Sequence, residues 1–194
     1  MAKPVGHTIP PLTGFVPRHD KDFSAYAQIF PRREGEKPAT TNAEPHQQIT
    51  QHGDVRLWDE LKRRCFTQLP GVVEADSKIS IPGATALWLD KSHAVGPKDA
   101  FIIEREFAHM HPHPDASLHL QLPLEVAVFA IAGGWAEPHI VVWMGFATPG
   151  SVMVFAPRDD EELEVVWNLI QESYRYAIGE APAFKREPQI NARA

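Results

Sequence analysis

Two strand-like runs lie on either side of a short, proline-containing connection in the middle of the chain. The first run spans 101–111, the second spans 117–122, and residues 112–116 join them. A connection this short links two strands as an antiparallel hairpin. The sheet built around this hairpin is therefore predicted to be mainly antiparallel, because parallel neighbours need a long crossover between them.

The elements that flank the hairpin follow an order typical of an α+β fold. Helices are predicted after Asp54, at 124–132 and after Asp159, from apolar residues at helical spacing and from capping residues. Further short strands are predicted at 72–75, 78–81, 85–89, 140–144 and 151–155. We therefore predict an α+β domain in which three principal helices pack on a mainly antiparallel sheet.

The ends of the chain differ from the middle in composition. Residues 1–52 are rich in proline, glycine, threonine and charged residues and lack a sustained period, so they are predicted to form an N-terminal arm that wraps the body. Within the arm, a short helix is predicted at 22–30. The body is predicted at 53–179, and the charged residues 180–194 are predicted to form a flexible tail.

Charge and composition restrict the expected partners and location. The chain has 25 acidic and 19 basic residues and a formal net charge of −6, so neither nucleic acid nor a membrane surface is an expected partner. One cysteine excludes an intrachain disulfide. Because neither a signal peptide nor an apolar segment of membrane-spanning length is visible, we expect a soluble, cytoplasmic protein. The expected partner is a small-molecule substrate, and a homodimer is the alternative to a monomer.

One face of the predicted hairpin gathers polar side chains. Alternate residues of a strand point to opposite sides of a sheet, and the five-residue connection places His109 opposite His119. The members of this face include Arg105, Phe107, His109, His111, Ser117, His119 and Gln121. Glu106 is predicted to lie on the opposite, leucine-lined face unless a bulge redirects its side chain.

Three imidazoles on one face allow three interpretations. They can act as bases near neutral pH, they can bind a metal ion such as zinc or iron, or they can form a solvated sheet face without a chemical role. A metal ion would need a further ligand besides His109, His111 and His119, and either His139 or a Glu106 redirected by a bulge could supply it. The spacing of these histidines matches no strong metal-binding motif.

Other candidate contacts with a substrate lie outside the hairpin. Trp135 follows the end of a predicted helix and could stack on a ring-shaped substrate, although a buried tryptophan is the alternative. Glu137 and His139 belong to the same short segment. Arg158 precedes the cap of the last helix, where it could bind an anionic oxygen or form a surface ion pair.

Several segments carry a resemblance to a known family. In the hairpin they are REFAHMHP at 105–112 and SLHLQLP at 117–123; elsewhere they are PRREG at 31–35, PHQQ at 45–48, GWAEPH at 134–139, VMVFAPR at 152–158 and Ser173–Tyr174. Together they resemble the luciferase-like domain family, which contains fungal bioluminescence luciferases and small bacterial relatives. The resemblance covers about residues 30–178 and has two departures. Ala116 stands where glycine is expected, and Ile140 stands where proline is expected.

The resemblance implies an oxygenase. The fungal members oxidise a hydroxylated styryl-pyrone with molecular oxygen and emit light without flavin or nicotinamide, and this sequence lacks a glycine-rich dinucleotide fingerprint. We therefore predict a cofactor-independent oxygenase that acts on a small aromatic or pyrone-like metabolite, with molecular oxygen as co-substrate. Light emission is not assumed, because the chain resembles the bacterial branch.

The resemblance also implies roles for individual residues. His109, His111 or His119 is the expected base, and Arg158 is expected to stabilise an enolate oxygen. Expected substrate contacts come from Arg105, Ser117, Gln121, Trp135, Glu137 and His139. No cofactor is predicted, and a divalent metal held by His109, His111, His119 and His139 is the alternative. A non-catalytic module that binds a small molecule or a metal ion is the second hypothesis for the function.

Overall fold

The computed structural model of the chain describes residues 30–182. In chain order the elements are α1 (Val55–Gln68), β1 (Val72–Asp76), β2 (Thr85–Leu89), β3 (Glu106–Met110), β4 (Leu118–Gln121), α2 (Leu124–Ala132), β5 (Ala136–Pro138), α3 (Ile140–Trp143), β6 (Ser151–Val154) and α4 (Asp160–Ala177). The predicted α+β class is confirmed. The predicted helix at 22–30, apart from its last residue, and most of the predicted tail lie outside the described residues.

All six strands form one antiparallel sheet in the order β1-β2-β3-β4-β6-β5. The β3–β4 hairpin occupies its centre. His109 pairs with His119, and the His111 backbone N–H donates to the Ser117 carbonyl oxygen at 2.9 Å. The predicted register of the hairpin is therefore confirmed.

A bulge interrupts the regular alternation of β3. Trp88 of β2 pairs with Glu106, whereas the adjacent Leu87 pairs with Ala108, so Phe107 is the extra residue. Phe107 and Ala108 both enter the hydrophobic core, and the Glu106 side chain turns towards His109. The predicted placement of Phe107 on the histidine face, and of Glu106 away from it, is wrong because the bulge shifts the side-chain period by one residue.

The main helices close the leucine-lined face of the sheet. The Asp54 side chain caps α1 by accepting from the Arg56 backbone N–H at 2.8 Å, and the Asp159 side chain caps α4 by accepting from the Glu162 backbone N–H at 2.8 Å. The apolar stripe of α1, the nearly all-apolar α2 and the inner face of α4 join Leu118 and Leu120 in one core. The opposite face of the sheet is left for polar side chains.

No helix within residues 30–182 is both long and apolar enough to cross a membrane.

Two predicted strands are wrong. The run 78–81 lies in the turn between β1 and β2, where the Ala84 backbone N–H donates to the Ile81 carbonyl oxygen and Gly83 adopts a φ of +84°. The run 140–144 contains the short helix α3, because the His139 Nδ1 accepts from the Val141 backbone N–H at 3.2 Å and caps a helical turn. This cap overrides the strand propensity of a β-branched run.

Residues 30–52 lie against the body and reach the histidine face of the sheet. The Gln48 side-chain oxygen accepts from the Ala156 backbone N–H at 2.8 Å, and the Gln48 backbone N–H donates to Asp115 Oδ1 at 3.1 Å. The Arg33 backbone N–H donates to the Gly133 carbonyl oxygen at 2.8 Å. These contacts carry His46 into the site described next.

Candidate functional site

Five imidazoles converge on the face of the sheet that the main helices leave open. His109 and His119 belong to the paired strands β3 and β4, and His111 directly follows β3. His139 precedes α3, and His46 comes from the segment that packs over the sheet. The His119 ring is central, with its centroid 4.1 Å from that of His139, 4.6 Å from His111, 4.8 Å from His109 and 5.8 Å from His46.

The ring nitrogens in this cluster cannot all form hydrogen bonds with one another. His119 Nδ1 lies 3.0 Å from His109 Nε2 and also 3.0 Å from His139 Nε2. A ring nitrogen carries at most one proton, so His119 Nδ1 cannot donate well to both neighbours. His119 Nε2 is buried and has no hydrogen-bond partner among residues 30–182. The cluster therefore points several nitrogen lone pairs into a small volume.

Buried or half-buried carboxylates orient three of the imidazoles. Glu106 Oε1 lies 2.8 Å from His109 Nδ1, Asp115 Oδ2 lies 2.6 Å from His111 Nδ1, and Glu137 Oε1 lies 2.8 Å from His46 Nε2. Each carboxylate accepts the N–H of its partner ring and so fixes its tautomer. In His109 and His111, this leaves Nε2 with a free lone pair.

Burial disfavours the charged form of three of these imidazoles. It lowers the pKa of His119 well below the usual range, with further lowering from the surrounding histidines. Burial also lowers the pKa of His109, although Glu106 opposes this, and it lowers the pKa of His139 to about 3. Burial alone would raise the pKa of Asp115, but hydrogen bonds from His111 and Ser117 leave it lowered. Neutral rings can accept a proton or bind a metal ion.

A cavity of about 1030 Å³ opens beside the cluster. Its apolar wall includes Ile79, Ile81, Phe101, Ile102, Val141 and Phe146. Its polar wall includes His46, His109, His111, His119, His139, Gln121, Thr148 and Ser151, and Glu44, Lys98 and Asp99 also line it. A concave, mostly apolar wall with a few convergent polar groups is the usual form of a small-molecule site.

The structure brings five of the predicted site residues to the cavity wall. They are His109, His111, His119, Gln121 and His139. Ser117 lies behind the wall, where its hydroxyl donates to Asp115 Oδ1 at 2.6 Å. Glu137 also lies behind it, because its carboxylate accepts from His46 and Lys37. Ser117 and Glu137 thus support imidazoles of the cluster indirectly.

Three other predicted site residues make protein contacts away from the cavity wall. Arg105 donates to the Leu89 carbonyl oxygen and lies over the Trp88 ring. Trp135 is buried, and its indole N–H donates to the Pro31 carbonyl oxygen. Arg158 binds the Glu162 carboxylate through its side chain and its backbone N–H. The positions of these residues lend no support to a contact with a molecule in the cavity.

Sequence reasoning did not identify His46 and Asp115 as members of the site. His46 is distant in sequence and reaches the cluster only through tertiary contacts, although the segment 45–48 carries part of the family resemblance. Asp115 lies in the hairpin connection, where no periodicity indicates side-chain direction. Glu106 is predicted to lie on the opposite face, and the bulge turns its side chain towards His109.

Most of this site lies in a region that is similar to a known domain. Residues 104–173 match the family model described as Luciferase domain, a range that includes β3, β4 and four of the five clustered histidines. The luciferase of Armillaria mellea is 28% identical over 170 residues, which cover 80% of this chain and 64% of that protein.

Shorter alignments give higher identity. The luciferase of Armillaria ostoyae is 37% identical over 75 residues, covering 38% of this chain and 28% of that protein. The luciferase of Neonothopanus nambi is 33% identical over 84 residues, covering 42% of this chain and 31% of that protein. The chain spans less than two thirds of the length of these curated relatives. No solved structure matches.

Proposed function

We propose that the chain, which matches the Luciferase domain model over residues 104–173 and is 28% identical to a fungal luciferase over 170 residues, is an oxygenase that oxidises a small aromatic or pyrone-like metabolite with molecular oxygen. The observation that carries this proposal is the histidine-lined cavity, which lies on the strands that match the luciferase model. The relatives bear the name luciferase, and light emission requires oxidation of a small organic molecule. We propose that this oxidation uses neither flavin nor nicotinamide. A cytoplasmic location and a small-molecule partner belong to the same proposal.

The walls of the cavity suit a flat, conjugated substrate. Phe101, Ile79 and Phe146 supply apolar and aromatic surface for a ring, while Gln121 and Ser151 supply polar groups at another part of the wall. Ligand sites typically measure about 300–1000 Å³, so a cavity of about 1030 Å³ can take a ring with a conjugated substituent.

The proposed reaction adds molecular oxygen to an activated carbon. The substrate loses a proton to a basic group in the cavity, which leaves an enolate. A C–O bond then forms between the enolate carbon and one oxygen atom, and the electron pair passes to the distal oxygen atom. Return of the proton to that atom gives a hydroperoxide, so that substrate plus oxygen accounts for every atom and electron. Proton transfers of this kind contribute about 10²–10⁴-fold to rate.

Oxygen consumption tests the proposal. Full-length protein would be mixed with a panel of hydroxylated pyrones and hydroxylated aromatic acids in an oxygen electrode, with His119→Ala as the site variant. His93→Ala is the matched control, because His93 pairs with Asp90 at 2.9 Å and does not line the cavity. We expect consumption by the wild type and by His93→Ala, and a loss of about 100-fold or more in His119→Ala.

Two further measurements keep this result interpretable. Circular dichroism shows whether His119→Ala is folded, and His139→Gln changes the cluster at a less buried position. If compounds of the panel bind to the wild type but no oxygen is consumed, the second hypothesis, a non-catalytic small-molecule module, replaces the oxygenase. Consumption that His119→Ala and His139→Gln leave unchanged would remove the histidine cluster from the reaction.

A further inference from the structure

We propose that His109, His111 and His119 bind a divalent first-row transition-metal ion, with its remaining coordination positions open to the cavity. All three imidazoles are buried, and all three line the cavity wall. Their available ring nitrogens lie within 4.8 Å of one another. Imidazole nitrogen is a ligand that suits zinc, copper, iron and nickel.

One nitrogen–nitrogen distance within the cluster already matches that between two ligands of one ion. Metal–nitrogen bonds of about 2.1 Å place neighbouring ligand nitrogens about 3.0–3.4 Å apart. His109 Nε2 and His119 Nδ1 are 3.0 Å apart. The two paired strands hold these rings side by side, so binding would require the rings to turn rather than the backbone to move. His119 Nε2 is buried and has no hydrogen-bond partner within residues 30–182, so turning this ring breaks no hydrogen bond at that nitrogen.

Carboxylates hold two of the three rings in the way that is usual for metal-binding histidines. A ligating imidazole commonly donates its other N–H to a carboxylate, which fixes the ring and makes it a better ligand. Glu106 serves His109 in this way at 2.8 Å, and Asp115 serves His111 at 2.6 Å. Both contacts use Nδ1, so Nε2 of each ring is directed elsewhere.

Charge balance gives an independent reason for a cation. Glu106 and Asp115 are both buried. Within residues 30–182, Glu106 is hydrogen-bonded to His109 and Ser77. Asp115 is hydrogen-bonded to His111, to Ser117 and to the Gln48 backbone N–H. Neither carboxylate is hydrogen-bonded to a lysine or an arginine among these residues. An uncompensated buried charge is costly. A divalent ion bound by the three imidazoles would balance the two carboxylates.

A second, overlapping set of histidines is less suited to the ion. It consists of His46, His119 and His139. His46 uses Nε2 for Glu137, and its Nδ1 faces the Ile140 backbone N–H at 3.4 Å. His139 Nδ1 accepts from the Val141 backbone N–H, so Nε2 carries the proton of the neutral ring and faces His119 Nδ1 at 3.0 Å as a donor. Neither His46 nor His139 therefore offers a lone pair to the ion without losing a present hydrogen bond.

The proposed metal site follows from the imidazoles and carboxylates of the cluster and does not depend on the proposed oxygenase reaction. If the metal site fails and the oxygenase holds, the reaction proceeds without a metal. If the oxygenase fails and the metal site holds, the chain is a metal-binding protein with a cavity. A binding measurement without substrate separates these cases.

Calorimetric titration with Zn²⁺ and spectroscopic titration with Co²⁺ test the metal site. Full-length protein without a histidine tag would be stripped with a chelator and titrated with each ion. We expect one ion per chain, visible absorption from bound Co²⁺, and loss of binding in His109→Ala and His111→Ala. His46→Ala and the exposed-site control His93→Ala should keep it, and Asp115→Asn should weaken it by about 10–100-fold.

Two results of these titrations would refute the proposed metal site. Absence of stoichiometric binding to the wild type would refute it. So would binding that survives in His111→Ala but disappears in His46→Ala, since that pattern assigns the ion to the other set of histidines. Because Asp115→Asn keeps the shape of the side chain, it gives a result even if an alanine variant does not fold.

Discussion

Glu162→Ala is expected to lower the free energy of unfolding by about 3–5 kcal/mol, the range typical of breaking a buried ion pair by removing one partner. The Arg33 and Glu162 side chains are 3% and 8% exposed, and the Arg33 guanidinium donates to both carboxylate oxygens at 3.2 and 3.0 Å. Glu162 also accepts from the Arg158 backbone N–H at 2.9 Å. Removing the carboxylate would leave the buried Arg33 charge without its ion-pair partner.

Asp160→Ala is the matched control for this prediction. Asp160 lies on the same first turn of α4 and binds Arg56 at 2.8 Å, but the two side chains are 75% and 60% exposed. Exposed ion pairs contribute little because water screens them, so this variant should unfold at nearly the wild-type urea concentration. Urea unfolding followed by circular dichroism measures both variants. Equal losses in the two would contradict the importance of burial for the Arg33–Glu162 pair.

The same carboxylate should make stability depend on acid. Burial raises the pKa of Glu162, but hydrogen bonds from Arg158 and Arg33 outweigh it, so the pKa in the folded state is lower than its ordinary value of 4.5. A depressed pKa of this kind stabilises the fold above the unfolded-state value and loses that contribution as pH falls through the folded-state value. Glu162→Ala should therefore lose less stability between neutral and acidic pH than the wild type does.

Phe107→Ala is expected to cost about 3–5 kcal/mol of stability, the usual cost of truncating a buried phenylalanine. Phe107 is the bulged residue of β3, its side chain is 0% exposed, and its ring contacts the Tyr174 ring edge-on with centroids 6.1 Å apart. The substitution leaves a cavity between the sheet and α4. It also removes the apolar group that fixes the bulge and, with it, the direction of Glu106.

Phe146→Ala isolates the effect of burial, because Phe146 is 78% exposed. This change should alter the free energy of unfolding by no more than about 0.5 kcal/mol. Thermal and urea unfolding of the two variants give the comparison. A Phe107→Ala loss no larger than that of Phe146→Ala would mean that the β3 bulge does not place Phe107 in the core.

The sequence specifies the histidine hairpin well because two local rules determine it. Strand alternation and a short connection are enough to place His109 opposite His119 and His111 beside Ser117, as observed. The helices after Asp54 and Asp159 are also predicted from local signals, a capping carboxylate followed by an apolar stripe. Local rules of this kind carry no information about segments distant in sequence.

The remaining parts of the candidate site depend on non-local or irregular structure. His46 joins the cluster through tertiary contacts of residues 30–52 with the body, among them those of Gln48 and Arg33 and its own hydrogen bond to Glu137. Glu106 reaches His109 only because a bulge breaks the alternation on which the prediction relied. The apolar run after His139 favours a strand by composition, yet the His139 cap makes it a helix. These outcomes follow from tertiary contacts that a single sequence does not display.

Incorporation of isotopically heavy oxygen gas into product is the most direct test of the oxygenase proposal. Wild type, His119→Ala and His93→Ala would be incubated with a hydroxylated pyrone that the wild type consumes, and the product would be weighed by mass spectrometry. We expect one or two oxygen atoms from the labelled gas in the product of the wild type and of His93→Ala, and almost none in the product of His119→Ala. Product oxygen that comes only from water, or label that is equally abundant with His119→Ala, would contradict it.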